Sequence, residues 1–299
     1  MKHLSLYHQL TCLLFCVWFS TQAQSQQIEV TDNFGRLVRV EKPVTRIISL
    51  APHITENLFS AGAGEKVIGI VEYSDYPAAT KTIPSVGSYA QFSIETILAM
   101  KPDLVVAWRG GNNSEALDQL ERLGLTLYYS EPRSFDDIIN NIHHYAALAD
   151  SRDTLDPRVH EVKEHIAQSR DEFANSERVD VFYQVWSDPL MTLNGEHFIS
   201  RVLEVCGARN LFADLPIIAP RVEWEAVIEA NPHAIVMGQN HNVPADTSLW
   251  EKWTMVDAVK NNHFVFVHSD TMHRHTLRML LAIGGFCDQI HEVRESRAR

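Results

Sequence analysis

From residue 46 onward, short apolar runs alternate with amphipathic segments, the pattern of strands and helices taken in turn. Apolar runs at 46–50, 67–71, 104–108 and 125–129 read as strands. Between them, 54–61, 93–100 and 114–123 read as helices, two of them stopped by Gly62 and Gly124. Upstream, 28–40 alternates as a small hairpin turning at Asp32-Asn33-Phe34-Gly35. The second half restarts the pattern. Strands are expected at 178–185, 234–237 and 264–267, and helices at 198–205, from Glu225 onward, and at 277–293. Apolar strands separated by short helices predict parallel sheets covered on both faces.

The centre of the chain differs. Residues 134–149 form an amphipathic helix with Ile138, Ile142, Tyr145 and Leu148 on one stripe. A second helix begins with Asp156 as N-cap and Pro157 at its first position and runs to about Asn175. It is polar and free of glycine, and at 1.5 Å per residue it spans roughly 28 Å. Such a helix between two α/β halves reads as a stiff connector, the alternative being an ordinary surface helix of one lobe.

The two halves also share a spacing. Glu95-Thr-Ile-Leu-Ala-Met-Lys-Pro102 and Glu225-Ala-Val-Ile-Glu-Ala-Asn-Pro232 each lead from an acidic helix start, through proline, into an apolar strand. Residues 57–62 echo 201–207 as well. A carboxylate near a helix N-terminus gains about 0.3–1 kcal/mol from the dipole, which alone would explain either glutamate. Matched carboxylates in both halves favour a two-lobed receptor that docks on a symmetric partner.

Composition narrows the setting. Lys2, the apolar stretch 10–19 and Thr21-Gln22-Ala23 form an export signal with cleavage expected after Ala23. The stretch is short of the roughly 20 residues of a spanning helix, and no later segment qualifies, so no direct membrane insertion is expected. Leu13-Leu14-Phe15-Cys16 is a poor lipoprotein site, because small residues are missing before the cysteine. Loss of the signal removes Cys12 and Cys16 and leaves Cys206 and Cys287, which in an exported protein read first as one disulfide. Two buried free thiols are the alternative; a metal site lacks the CxxC spacing. Net charge is −12, and −13 without Lys2, which disfavours nucleic acid and anionic membranes as partners. The expected organisation is a signal peptide at 1–23, an N-terminal lobe at 24–150, a connecting helix at 151–176 and a C-terminal lobe at 177–299.

Open parallel sheets bind ligands beyond the carboxyl ends of their strands. The residues there are Pro52-His53, 73–77, 108–112, 186–189 and 269–274, with Tyr89 before the Glu95 helix. The set is rich in aromatics and holds two fixed positive charges, Arg109 and Arg274, which suits a large, flat, mostly neutral ligand. No GxSxG elbow, glycine-rich phosphate loop or HExxH motif occurs, so catalysis is not expected. His143-His144 reads as a solvated helix face. His268, His273 and His275 could in principle gather a metal or a haem iron.

Val71-Glu-Tyr-Ser-Asp-Tyr-Pro77, Lys101-Pro-Asp-Leu-Val-Val-Ala-Trp-Arg-Gly-Gly-Asn112 and Leu203-Glu-Val-Cys-Gly207 together resemble the periplasmic cobalamin-binding proteins of the BtuF type. The resemblance covers essentially the whole mature chain. It implies an α/β fold of two Rossmann-like lobes with mostly parallel sheets, joined by one long connecting helix. It also implies a periplasmic monomer that delivers cobalamin, as transported ligand and not as cofactor, to an ABC transporter permease with its ATPase. Glu95 and Glu225 would meet arginines on the permease, and Cys206 would pair with Cys287. Tyr73, Tyr89, Trp108, Asp270 and Arg274 would contact the corrinoid. Two positions depart from the family: Tyr89 stands where it has tryptophan, and Ala219 replaces another cleft tryptophan, for which Trp186 would compensate. The rival readings are haem or a ferric siderophore on the same fold, with His53, His268 or Tyr89 on a haem iron, and an exported metal-dependent hydrolase built around His268.

Overall fold

A computed structural model describes residues 27–239 and 245–299; the expected signal peptide lies outside them. Strands β1 (Ile28–Thr31) and β2 (Leu37–Val40) pair antiparallel, with Thr31 opposite Leu37. The turn between them is closed by Asp32, whose Oδ1 accepts from the Phe34 and Arg36 N–H groups at 2.9 Å.

Strands β3 (Ile47–Ser49), β4 (Val67–Gly69), β5 (Leu104–Ala107) and β6 (Leu127–Tyr129) form one parallel sheet in the order β4-β3-β5-β6. Its helices are α1 (Pro52–Ser60), α2 (Ile94–Ala99), α3 (Ser114–Arg122) and α4 (Phe135–Ala149). Helix α5 (Arg158–Phe173) then leads to the second lobe, which opens with β7 (Val179–Gln184) and the short hairpin β8 (Trp186–Ser187) and β9 (Leu190–Met191). After α6 (Phe198–Val205) come β10 (Ala208–Asn210), α7 (Trp224–Ala230), β11 (Ala234–Gln239), α8 (Asp257–Lys260) and β12 (Phe264–His268). The chain closes with α9 (Ser269–Met272) and α10 (Leu277–Arg297). The second sheet is also parallel, in the order β10-β7-β11-β12. Numbered within each lobe, both sheets run second, first, third, fourth, so the duplication is real at the level of topology.

The match extends to small features. Lys101 (φ 47°) and Asn231 (φ 44°) each end their helix in the left-handed region, just before Pro102 and Pro232. One residue later the Asp103 N–H donates to Arg46 O, and the His233 N–H to Asp180 O, both at 2.8 Å.

Side chains alternate between two cores along every central strand. Leu104, Val106, Val181 and Val236 enter a core shared with α1, α4, α5, α6 and α10, while Val105 and Ile235 enter separate outer cores, one per lobe. Burial on both faces is why these strands read as continuous apolar runs. Helix α5 buries Val159, Val162, Ile166 and Phe173, and packs along α10. The helix starts one residue later than expected, with Pro157 as its N-cap, and Asp156 just before it accepts from the Arg158 N–H at 3.0 Å. Helix α10 runs past the expected residue 293, because the buried Arg294 donates to Cys206 O at 2.8 Å and Glu177 O at 2.7 Å and ties the last turn down. A Cys206–Cys287 disulfide joins the end of α6 to α10 across a separation of 81 residues. In the chain-entropy model such a loop stabilises by about 4.5 kcal/mol. Among the described residues no helix is long and apolar enough to cross a membrane.

Candidate functional site

The N-terminal wall is built where β5 ends. The Trp108 N–H donates to Asn112 Oδ1 at 2.7 Å, while Asn112 Nδ2 donates to Leu50 O at 2.9 Å and Tyr89 O at 2.6 Å. One amide side chain thus ties the ends of two strands to the Tyr89 segment. The rings of Tyr89 and Trp108 lie 5.8 Å apart, and His53 meets the Trp108 ring edge-on at 5.6 Å. Glycine is required at 111, since a Cβ there would stand 2.1 Å from Trp108 Cε3. Tyr73, with a left-handed backbone (φ 63°), leaves 73% of its surface exposed, and Tyr89 leaves 42%.

On the other lobe Trp186 is 61% exposed, held by an Nε1–H donated to Asp188 O at 2.8 Å. It lines a cavity of about 410 Å³ together with Gln184, Met237, Gln239, Asp246 and Ser269. The hairpin carrying it was not legible as strand, because two-residue strands show no period.

Charged groups join the lobes between these walls. Arg274 contacts Glu56 at 3.0 Å, Asp75 at 2.6 Å and Asp270 at 3.2 Å, leaving its side chain 12% exposed. Arg278 adds a 2.7 Å contact to Glu56 and lies over the Tyr76 ring at 4.2 Å. Burial pushes the Glu56 carboxyl above its ordinary value, against the pull of Arg278 and Arg274. Burial acts the same way on Asp75, but the hydrogen bond and charge of Arg274 hold that carboxyl below its ordinary value. Arg274 is therefore committed to protein carboxylates, whereas Asp270 keeps a partly exposed oxygen edge. Arg109 is engaged within its own lobe, paired to Asp118 at 3.1 Å and set over Tyr129. Sequence reasoning passed over Glu56, although a lone acid on the apolar face of 54–61 was a usable signal.

The histidines are held apart by protein partners. His273 Nε2 meets the Tyr183 hydroxyl at 2.8 Å, and His275 stacks on Phe198 at 4.5 Å. Burial pushes His53 and His197 down to about 3 and His275 to about 4, with neighbouring positive charge adding to the effect. Among the described residues no group of three His, Cys, Asp or Glu side chains is placed to hold a metal ion. His143 and His144, expected on a solvated face, are both half-buried; His144 Nδ1 meets the Tyr128 hydroxyl at 3.0 Å, and His143 packs on His160. The docking candidates Glu95 and Glu225 are both exposed, each the second residue of its helix.

Two parallel sheets of one topology, a connecting helix and aromatic strand ends define a two-lobed solute receptor. Residues 47–271 match the family model described as periplasmic binding protein, and the chain belongs to that family, a class of binding proteins rather than enzymes. Within it, the vitamin B12-binding protein of Vibrio parahaemolyticus is 34% identical over 265 residues, 88% of this chain and 96% of that protein. The vitamin B12-binding protein of Yersinia pestis is 34% identical over 249 residues, 83% of this chain and 87% of that protein. The crystal structure of the periplasmic vitamin B12 binding protein BtuF of Vibrio cholerae matches with a TM-score of 0.77 and 32% identity, covering 84% of this chain and 98% of that one. The apo periplasmic heme-binding protein RhuT of Roseiflexus sp. RS-1 matches at 0.69 with 22% identity, covering 83% and 98%, a likeness of fold.

Proposed function

We propose that this chain captures a corrinoid, cobalamin, between its lobes in the periplasm and presents it to the permease of an inner-membrane ABC importer. The observation that carries this reading is the aromatic strand-end wall of Trp108, Tyr89 and Tyr73, with exposed Trp186 on the other lobe. Aromatic faces suit a broad, mostly neutral ring system. The resemblance to vitamin B12-binding proteins along nearly the whole chain supports the same ligand class.

The charge arrangement favours a corrinoid over haem or a ferric siderophore. Haem brings two carboxylates and a siderophore complex is commonly anionic, but Arg109 and Arg274 already answer protein carboxylates. His53, a candidate axial ligand, is buried behind Trp108 and His275.

In this reading residues 1–23 direct export and are removed, 24–150 and 177–299 are the lobes, and 151–176 connects them. The mature protein acts as a monomer, without a cofactor and without chemistry on its ligand. Glu95 and Glu225 register the two lobes on arginines of the permease, steering the encounter more than supplying affinity. Titration of the purified protein with cyanocobalamin and with haemin, read by absorbance and calorimetry, tests the ligand. One cyanocobalamin per chain is expected; saturation by haemin with no response to cyanocobalamin overturns the reading.

A further inference from the structure

Trp186, Met191 and Arg221 stand in one cross-strand row. Trp186 pairs with Met191 within the hairpin, and Met191 bridges antiparallel to Arg221. The pairing continues on both sides, the Val222 N–H donating to Leu190 O at 3.0 Å, Thr192 to Pro220 O at 3.1 Å and Asn194 to Ile218 O at 2.9 Å. Residues 218–222 therefore act as a third, irregular strand on β9. Directly opposed residues on antiparallel strands project to the same face, and their sequence neighbours to the other. Leu190, Thr192 and Pro220 take the inner face and are buried. Trp186 and Arg221 are exposed, and Met191 is half-buried between them. Two strand spacings separate the ends of the row, about 10 Å. At one end Trp186 lines the cavity beyond β7 and β11, so the row extends that cavity's wall to a guanidinium.

Arg221 differs from the other cations near the cleft. Arg109, Arg274 and Arg278 all answer carboxylates, while among the described residues Arg221 has no ion pair and no side-chain hydrogen bond. Its pleat neighbours on this exposed face are an indole and a thioether. An apolar strip ending in an unpaired guanidinium fits a ligand with a flat apolar body and one anionic group at its edge.

Resting on the corrinoid reading given above, we propose that this row is a recognition element of the C-terminal lobe. Trp186 and Met191 cover an apolar face of the ligand, and Arg221 takes the phosphodiester of its nucleotide loop. Cobalamin carries that phosphodiester as its permanent anion outside the ring, and a guanidinium fork matches its two free oxygens. One unpaired cation meets one anion. The same row would discriminate complete corrinoids from those that lack the loop.

Dissociation constants for cyanocobalamin and for dicyanocobinamide, which has the ring but neither phosphodiester nor lower base, test the assignment. The proteins compared are the mature chain, Arg221→Gln and Arg221→Lys, each first checked by circular dichroism. Arg221→Gln is expected to weaken cyanocobalamin roughly tenfold, the scale of one charge-assisted contact, and to leave dicyanocobinamide within about twofold. Arg221→Lys, which keeps the charge but not the fork, should recover only part of the loss, and the preference of the mature chain for cyanocobalamin should shrink as salt rises. A loss shared by both ligands, or no loss with either, overturns the phosphodiester assignment while corrinoid capture stands. If the mature chain binds neither ligand, the corrinoid reading itself fails.

Discussion

Glu56 of α1 and Arg278 of α10 meet through two hydrogen bonds, Nε to Oε2 at 3.0 Å and Nη2 to Oε1 at 2.7 Å. The same carboxylate accepts from Arg274, and it is only 2% exposed. A carboxylate on the first lobe thus holds two guanidiniums from the end of the second. Removing Glu56 leaves Arg278 without a carboxylate among the described residues, while Arg274 keeps Asp75 and Asp270. The cost is about 3 kcal/mol, the lower end for breaking a buried pair. Glu56→Ala is expected to lower the unfolding free energy by about that amount in urea titrations. A loss below about 1 kcal/mol, the range of exposed pairs, would show that the cluster does not brace the lobes.

The bare backbone at Gly111 sets where the Trp108 indole lies. Gly111→Ala puts a methyl group into the ring and must displace it from the wall. Ligand affinity should fall on the order of tenfold, about 1.4 kcal/mol. Calorimetry of this variant against the parent measures the change, and unaltered affinity would remove Trp108 from the contact surface.

Glu95 and Glu225 occupy equivalent first-turn positions on α2 and α7, exposed in both lobes. The double variant Glu95→Ala with Glu225→Ala should bind ligand as the parent does yet support no uptake in reconstituted transporter vesicles. Normal uptake by that variant would rule out the docking role.

Acid should weaken the fold through its buried histidines. An unfolded histidine takes up a proton near pH 6.5, whereas folded His53 and His197 do so only near 3 and His275 near 4. The unfolded state therefore binds more protons across that window. Stability is full above pH 6.5 and is lost as pH falls toward the folded values. Urea midpoints measured from pH 7.5 to 4 should decline, and His53→Leu should show a shallower slope. An identical slope in the variant would exclude His53 as a contributor.

Much of this architecture was legible because it is written in local patterns. Burial on both faces made the central strands apolar throughout, and the Asp156-Pro157 start marked α5 within one residue. Three elements were not legible: β8 and β9 have two residues each, too few to display a period, and β10 (Ala-Arg-Asn) lacks the apolar run that marked the equally short β3, β4 and β6. His144 was misjudged because its partner, the Tyr128 hydroxyl, comes from a strand in the previous unit. The aromatic candidates Tyr73, Trp108 and Trp186 were singled out by their place beyond strand ends, and Tyr89 by its place before α2. The tie that Asn112 makes to Leu50 and Tyr89 had no counterpart in any local signal.

Local sequence by itself determined the duplicated α/β plan, the paired first-turn carboxylates and the candidate cysteine pair Cys206 and Cys287, since period, capping and composition act over a few residues. Only the tertiary structure decided that Arg274 would serve Glu56, 218 residues away, rather than stand free at the strand ends. It alone set Arg221 in a row with Met191 and Trp186. Such pairings depend on how two sheets and a terminal helix pack, and long-range packing leaves no periodic trace along the chain.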